Sequence, residues 1–158
     1  MSCIFCRIVD GDLPSRTVYE SDEALAFLDA NPLTAGHTLV VPRDHYETVG
    51  DLPPGTAGAV FEAVSAVTPR VEAAVDADAT TVAVNNGEAA GQEVPHTHVH
   101  IVPRFEGDGN GPSHRLLERR PALSDEELDA VAAAMRSEHC PCRRSHALAR
   151  FPRAENRR

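Results

Sequence analysis

Two short runs of apolar and β-branched residues open the pattern along the chain. Val18-Tyr19-Glu20 and residues 24–28 flank the polar triplet Ser21-Asp22-Glu23, which reads as a hairpin with a tight turn. Asn31-Pro32 and Ala35-Gly36 bracket a loop, after which His37-Thr38-Leu39-Val40-Val41 runs as a buried third strand until Pro42 stops it. Across 56–75 the positions Val60, Phe61, Val64, Val67, Val71 and Val75 recur at helical spacing, with Ala filling much of the rest. They predict one long helix with an apolar stripe. Pro69 has no amide hydrogen and crowds the preceding turn, so it is expected to bend or break that helix. Residues 80–84 and 94–102 read as two further strands around the Gly-punctuated loop 85–91. Ser124, with Glu127 three residues on, has the form of a capping box ahead of a helix over 128–135.

The order hairpin, strand, helix, two strands, helix predicts an α+β fold with a mainly antiparallel sheet, one long helix and a C-terminal helix. A chain of 158 residues supports a single core. Composition divides it into a core over 1–106, a linker with the C-terminal helix over 107–139, and a basic tail over 140–158 that is expected to be disordered. A second metal site from His139, Cys140, Cys142 and His146 is the rival reading of that tail. No stretch of about 18 apolar residues occurs, and Met1-Ser2-Cys3 lacks the layout of a secretory signal, so the expected location is the cytoplasm.

Charge narrows the class of partner. The formal net charge is −9, but residues 140–158 hold six Arg against one Glu, +5, which leaves −14 for 1–139. Such a body repels polynucleotide phosphate, so phosphate has to be bound locally by backbone amides and a few side chains. The expectation is a small nucleotide, with no nucleic-acid polymer and no membrane among the partners. All fifteen basic residues are Arg, a bias that adaptation to high salt and a GC-rich genome both produce.

The chemistry concentrates in Pro95-His96-Thr97-His98-Val99-His100-Ile101-Val102-Pro103. Side chains alternate along a strand, so His96, His98 and His100 would line one face and Thr97, Val99 and Ile101 the other. Imidazole is a poor core filler, and three on one face point to function rather than packing. Two chemistries fit the spacing: zinc ligation, or a nucleophilic imidazole whose neighbours donate protons and hold phosphate oxygens. Cys3 and Cys6, spaced Cys-x-x-Cys, are metal-ligand candidates in a reducing compartment.

Residues 91–102 resemble the His-φ-His-φ-His-φ-φ signature of the histidine triad (HIT) family. Cys3-Ile4-Phe5-Cys6-Arg7-Ile8-Val9, Leu13-Pro14-Ser15, Ala26-Phe27-Leu28-Asp29 and residues 35–45 are similar in order and spacing to prokaryotic and Hint-like members. The likeness covers roughly residues 3–104. It implies a HIT-like α+β protomer that pairs through a continuous sheet into a homodimer. It also implies a phosphoramidase-like hydrolase or nucleotidyl transferase acting at the α-phosphorus of a purine nucleotide conjugate. The nucleophile that forms the covalent nucleotidyl-imidazole would be His98, with His100 and His37 at the phosphate or leaving group. By the same resemblance Asp29 would take the ribose hydroxyls, Asn85 and Gln92 would contact the phosphate side, and Ile4, Phe5, Ile8 and Leu28 would form the slot for the base. Cys3, Cys6, His45 and His96 would hold a structural zinc, as Cys2His2 leaves no water position. Glu93 departs from the Ser or Thr of the phosphoramidase and dinucleotide-hydrolase branches, which leaves the leaving group open. The alternatives are a dinucleoside polyphosphate hydrolase, a nucleotide-binding regulatory module with vestigial turnover, and a zinc-binding structural domain.

Overall fold

The computed structural model of the chain describes residues 3–109 and 123–136. The expected tail at 140–158 and the rival metal set around His139 lie outside the described residues, as does most of the linker.

Strands β1 (Thr17–Glu20) and β2 (Ala24–Leu28) form the expected hairpin, with Tyr19 opposite Ala26. Its turn is closed by Ser21, whose hydroxyl accepts the Ala24 N–H at 3.1 Å while its own N–H reaches the Ala24 carbonyl at 2.9 Å. β3 (Thr38–Pro42) pairs with β2, then β5 (Val99–Arg104) with β3, and β4 (Ala79–Ala83) with β5. The sheet is antiparallel throughout in the order β1-β2-β3-β5-β4, which is the α+β architecture expected.

Between the hairpin and the edge runs the long helix α2 (Pro54–Val75), with Pro54 where a missing N–H costs nothing and Asp76 ending it in the left-handed region at φ 53°. Pro69 lies inside α2 without breaking it. The carbonyl that loses its donor belongs to Ser65, and Ser65 and Pro69 are both exposed, so water can replace the bond. Phe61 departs from the expected stripe: it is 53 % exposed, one position off the buried line of Val60, Val64, Val67 and Val71.

The alternation of β2 divides the interior in two. Ala24, Ala26 and Leu28 join Val40, Val99 and Ile101 under α2, in the main core. Leu25 and Phe27 face the other way, onto Leu39, Val41 and Phe5 of the short helix α1 (Ile4–Val9). Val131, Ala132 and Met135 of α3 (Asp125–Arg136) complete the main core. The Ser124 hydroxyl and Glu127 carboxylate cap α3 reciprocally, and Arg16 bridges to Asp125 and Asp129. Arg136 donates to the Thr17 carbonyl at 2.9 Å, so α3 also covers part of the β1 edge. Among the described residues no helix is long and apolar enough to cross a membrane.

One expected strand is shorter than its sequence pattern. Residues 94–98 are irregular and β5 begins only at Val99, because His96 N–H turns back to the Val94 carbonyl and Thr97 N–H binds the Tyr46 carbonyl instead of a strand partner. The loop before β3 is equally constrained. Gly36 sits at φ +88°, and a Cβ there would stand 3.1 Å from both Pro103 Cγ and Val75 Cγ1. Gly36→Ala is therefore expected to lower unfolding free energy by roughly 1–3 kcal/mol, through backbone strain and overpacking together. Urea denaturation measures it, and an unchanged midpoint would show that the loop adjusts freely.

Candidate active site and metal cluster

The first turn of α1 carries Cys3 and Cys6 beneath the segment that leads into β5. Cys3 Sγ lies 3.5 Å from His96 Nδ1, Cys6 Sγ lies 3.6 Å from the same nitrogen, and Cys6 Sγ lies 3.3 Å from His45 Nδ1. Metal–ligand bonds of about 2.0–2.3 Å in a tetrahedron give ligand–ligand edges of roughly 3.3–3.8 Å, so this spacing suits a four-coordinate cation. His96 is fully buried, and its Nε2–H is directed to the Pro42 carbonyl at 3.0 Å, which leaves the Nδ1 lone pair facing the sulfurs. A ring held through its other nitrogen is the usual second contact of a metal-binding histidine. Burial, and then the neighbouring Cys3, push the Cys6 thiol above its ordinary range, a penalty that a bound dication would offset. The chemistry of the donor set fits a metal, and the four residues could hold one.

His98 follows two residues later. Its Nδ1 lies 2.7 Å from the His96 carbonyl, which can only accept, so Nδ1 carries the proton and Nε2 the lone pair. Thr97, between the two histidines, is pinned twice to the Tyr46 carbonyl, by its N–H at 2.7 Å and its hydroxyl at 3.1 Å. Phe5 packs edge-on against the His98 ring, centroids 5.2 Å apart, and a further edge contact at 4.9 Å leads to His100. The histidines thus share the Phe5 side of the sheet although only His100 belongs to a regular strand, while Val99 and Ile101 point under α2.

His37, buried, and His100, half-buried, form a pair. His37 Nε2 and His100 Nδ1 are 3.0 Å apart, the Leu33 N–H donates to His37 Nδ1 at 3.2 Å, and Asp29 Oδ2 lies 3.3 Å from that same Nδ1. The backbone donor fixes the resting arrangement, with the proton of His37 on Nε2 and that of His100 on its own Nε2. His100 Nε2 is buried without a partner among the described residues, a donor with nothing to donate to. Desolvation, and then the neighbouring His37 and His98, push the His100 imidazole down to about 4, so it is neutral at physiological pH. Asp29, His37 and His100 are close enough to be considered as metal ligands. The two nitrogens of His37 face opposite partners, however, and the three residues form a chain rather than a cage.

Other residues singled out in the sequence are placed less simply. Gln92 is buried and its amide is engaged on every side: Gly87 N–H donates to Oε1, and Nε2 donates to the Glu47 and Val94 carbonyls. Asn85 is turned towards the Gly91 carbonyl at 3.4 Å. The amides of His96 and Thr97 are bonded within the protein, so neither is free to hold a phosphate oxygen. Phe5 and Ile8 belong to the smaller cluster and Ile4 is half exposed beside them. Leu28 is a correction: it faces α2 in the main core, and Phe27 occupies the Phe5 side in its place. The period-two alternation of β2 carries that signal, since only one of the two neighbours can face α1.

Comparison with known proteins gives the family. The chain is 47 % identical over 107 residues to an uncharacterized HIT-like protein of Methanocaldococcus jannaschii, covering 68 % of this chain and 82 % of that one. It is 39 % identical over 139 residues to adenylylsulfatase HINT3 of Arabidopsis thaliana, covering 87 % and 70 %. Among solved structures, a zinc-bound histidine triad family protein from Mycobacterium smegmatis superposes with a TM-score of 0.72 at 38 % identity, covering 85 % of this chain and 94 % of that one. The family model for the HIT domain matches residues 10–107, and the chain belongs to the HIT family.

Proposed function

We propose that the protein is a hydrolase or nucleotidyl transferase that acts at the α-phosphorus of a purine nucleotide conjugate through a nucleotidyl intermediate on His98. The observation that carries this reading is the 2.7 Å bond from His98 Nδ1 to the His96 carbonyl, which leaves Nε2 unprotonated and its lone pair outward. In the first step Nε2 bonds to phosphorus, and the bond to the leaving group breaks with its electron pair on that group, which takes up a proton. In the second, water attacks phosphorus, the P–N bond breaks, and its electrons return to Nε2. His100 Nε2–H faces this chemistry as a donor, and His37 holds the ring that carries it. Asp29 accepts from the ribose hydroxyls, while Phe5, Ile8 and the exposed side of Ile4, with Phe27 behind them, form the apolar slot for the base. Asn85 contributes its amide at the leaving-group side. Gln92 acts by tying the loops around Glu47, Gly87 and Val94 together, not by touching phosphate.

Mass spectrometry after brief mixing with a nucleoside phosphoramidate is expected to detect a nucleotidyl adduct on His98. His98→Ala should abolish the adduct and lower turnover at least about 1000-fold. Turnover that survives in His98→Ala would defeat the reading. Running diadenosine polyphosphates and adenylyl sulfate beside the phosphoramidate identifies the preferred leaving group.

The Cys3, Cys6, His45 and His96 set holds a structural zinc, supported by its closed donor arrangement and by the zinc carried by the Mycobacterium smegmatis relative. Freshly purified protein is expected to contain about one zinc per chain, and chelation to lower its melting temperature by several degrees. Metal analysis that finds none in the fresh protein would refute the assignment.

Assembly as a homodimer is supported by β4, which among the described residues pairs on one side only and presents Val82, 43 % exposed, beside the other edge. Light scattering should give twice the chain mass of 17.0 kDa, and Val82→Asp should return the monomer. A monomeric wild-type protein at micromolar concentration would count decisively against it.

A further inference from the structure

The neutral His37–His100 pair can offer a hydrogen bond but cannot give up a proton. Leu33 N–H donates to His37 Nδ1 and His37 Nε2–H to His100 Nδ1, so loss of the proton on His100 Nε2 would leave an imidazolate. A leaving group that must be protonated therefore needs one more proton on the pair, and the ring nitrogen able to take it is His37 Nδ1. Facing that atom at 3.3 Å is Asp29 Oδ2, while Asp29 Oδ1 is anchored by the Asn31 N–H at 2.8 Å. His37 Nδ1 thus stands between a donor, Leu33 N–H, and an acceptor, the Asp29 carboxylate. The first suits the neutral pair and the second the protonated one.

We propose that Asp29 is a positioning residue for proton transfer, holding His37 in the form protonated at Nδ1 so that the His37–His100 pair can deliver a proton to the leaving group. The proposal rests on the reaction given above and adds to the ribose contact of Asp29. As the bond from phosphorus to the leaving group breaks, the His100 Nε2 proton passes to the departing atom. His37 Nε2–H moves to His100 Nδ1, and the positive charge of the pair is neutralised. His37 is left with its proton on Nδ1 against Asp29, and His100 Nε2 now carries a lone pair. In the second step that lone pair takes a proton from the attacking water, His100 Nδ1–H returns to His37 Nε2, and the pair is charged again. Every proton that leaves in the first half is regained in the second, so no outside acid is required.

The surroundings give Asp29 its leverage. The titratable groups set against the pair in the described contacts are Asp29, after the end of β2, and His98, whose ring is 4.9 Å from that of His100. Within the sheet His100 is flanked by Leu39 of β3 and Ala83 of β4, and α2 lies across the opposite face against Val99 and Ile101. Burial is the largest influence that keeps His100 neutral down to about pH 4, and of the charges acting on it His37 and His98 add to that effect while Asp29 pulls towards protonation.

The test uses Asp29→Asn, which preserves shape and the acceptor for Asn31. Nucleotide conjugates with an alkylamine leaving group, which needs a proton, are compared with p-nitrophenyl esters, which do not, each on ribose and on 2′,3′-dideoxyribose. The expected result is a fall in kcat of at least about tenfold for the amine conjugates on both sugars, part of the roughly 10²–10⁴ that general acid catalysis supplies, and partial rescue by Asp29→Glu. On the dideoxy sugar, where the ribose contact is missing in wild type and variant alike, the esters should lose kcat by a clearly smaller factor than the amine conjugates. Nitrogen-15 NMR of the imidazoles in the substrate-free protein should show the pair taking up its proton at lower pH in Asp29→Asn than in wild type. A loss confined to KM that vanishes on the dideoxy sugar would overturn the proposal and leave Asp29 as a ribose contact alone. If the wild type turns over none of these compounds, the reaction reading fails by itself. The NMR titration still decides the role of Asp29, an unchanged midpoint refuting it.

Discussion

The hydrogen bond from His98 Nδ1 to the His96 carbonyl determines which ring nitrogen of His98 keeps its lone pair, and it does so through the backbone of a residue whose own ring faces the cysteines. His96 is fixed at three points. Its Nδ1 faces the two cysteine sulfurs, its Nε2 is bonded to the Pro42 carbonyl, and its own carbonyl receives the His98 proton. Rotation of the His96 peptide would free His98 to adopt the other tautomer, with its lone pair turned inward. The cysteine cluster, the end of β3 and the His98 ring therefore form one mechanical unit, and disturbance of α1 is transmitted to His98 across two residues.

That unit depends on how the segment 94–98 avoids being a strand. A regular strand from 94 to 102 would have spent its amides on β3 and β4, and the histidines would have been held only by alternation. Instead Thr97 is bound to Tyr46, and Gln92 ties the loops of Glu47, Gly87 and Val94 into one surface. The irregular stretch is as restrained as a strand, but by contacts to loops that lie beyond the sheet's end. Those loops hold the histidines at the end of the sheet, while Val99 and Ile101 remain under α2.

Much of this was legible in the chain. The hairpin, β3, α2 and the α3 capping box followed from periodicity and local hydrogen-bonding chemistry, because each signal is contained within a few residues. The continuity of α2 through Pro69 was not legible, since it depends on which side of the helix faces water. Nor was the exposure of Phe61, which differs from its buried neighbours only by a rotation of the helix. At the site, residue types and spacing identified the histidines and the cysteines. The tautomer of His98 and the engagement of the Gln92 amide depend on carbonyls from residues far apart in sequence, which no local pattern records. Leu28 and Phe27 exchange places for a different reason. The alternation was present in β2, but the face turned to α1 becomes known only when α1 does.

The distribution of charge gives the site its character. The loops 44–51 and 85–93, which Gln92 and Asn86 join, carry Asp44, Glu47, Asp51, Glu88 and Glu93 and no arginine. A site that handles phosphate usually sets guanidinium or ammonium groups against it, in part because the charge grows in the transition state. Here the acidic loops would oppose the approach of the proposed nucleotide to the imidazoles. There His100 presents a neutral donor that nothing among the described residues satisfies. Neutral donors stabilise charge less than cations do, so a proton moving onto the histidine pair is worth more at this site than it would be beside an arginine. Holding such a proton in a desolvated pocket requires a counter-charge, and the carboxylate that stands against His37 is that of Asp29. The absence of fixed cations in these loops and the presence of a half-buried carboxylate beside the histidines fit one electrostatic constraint, in which the proposed mobile proton supplies the positive charge.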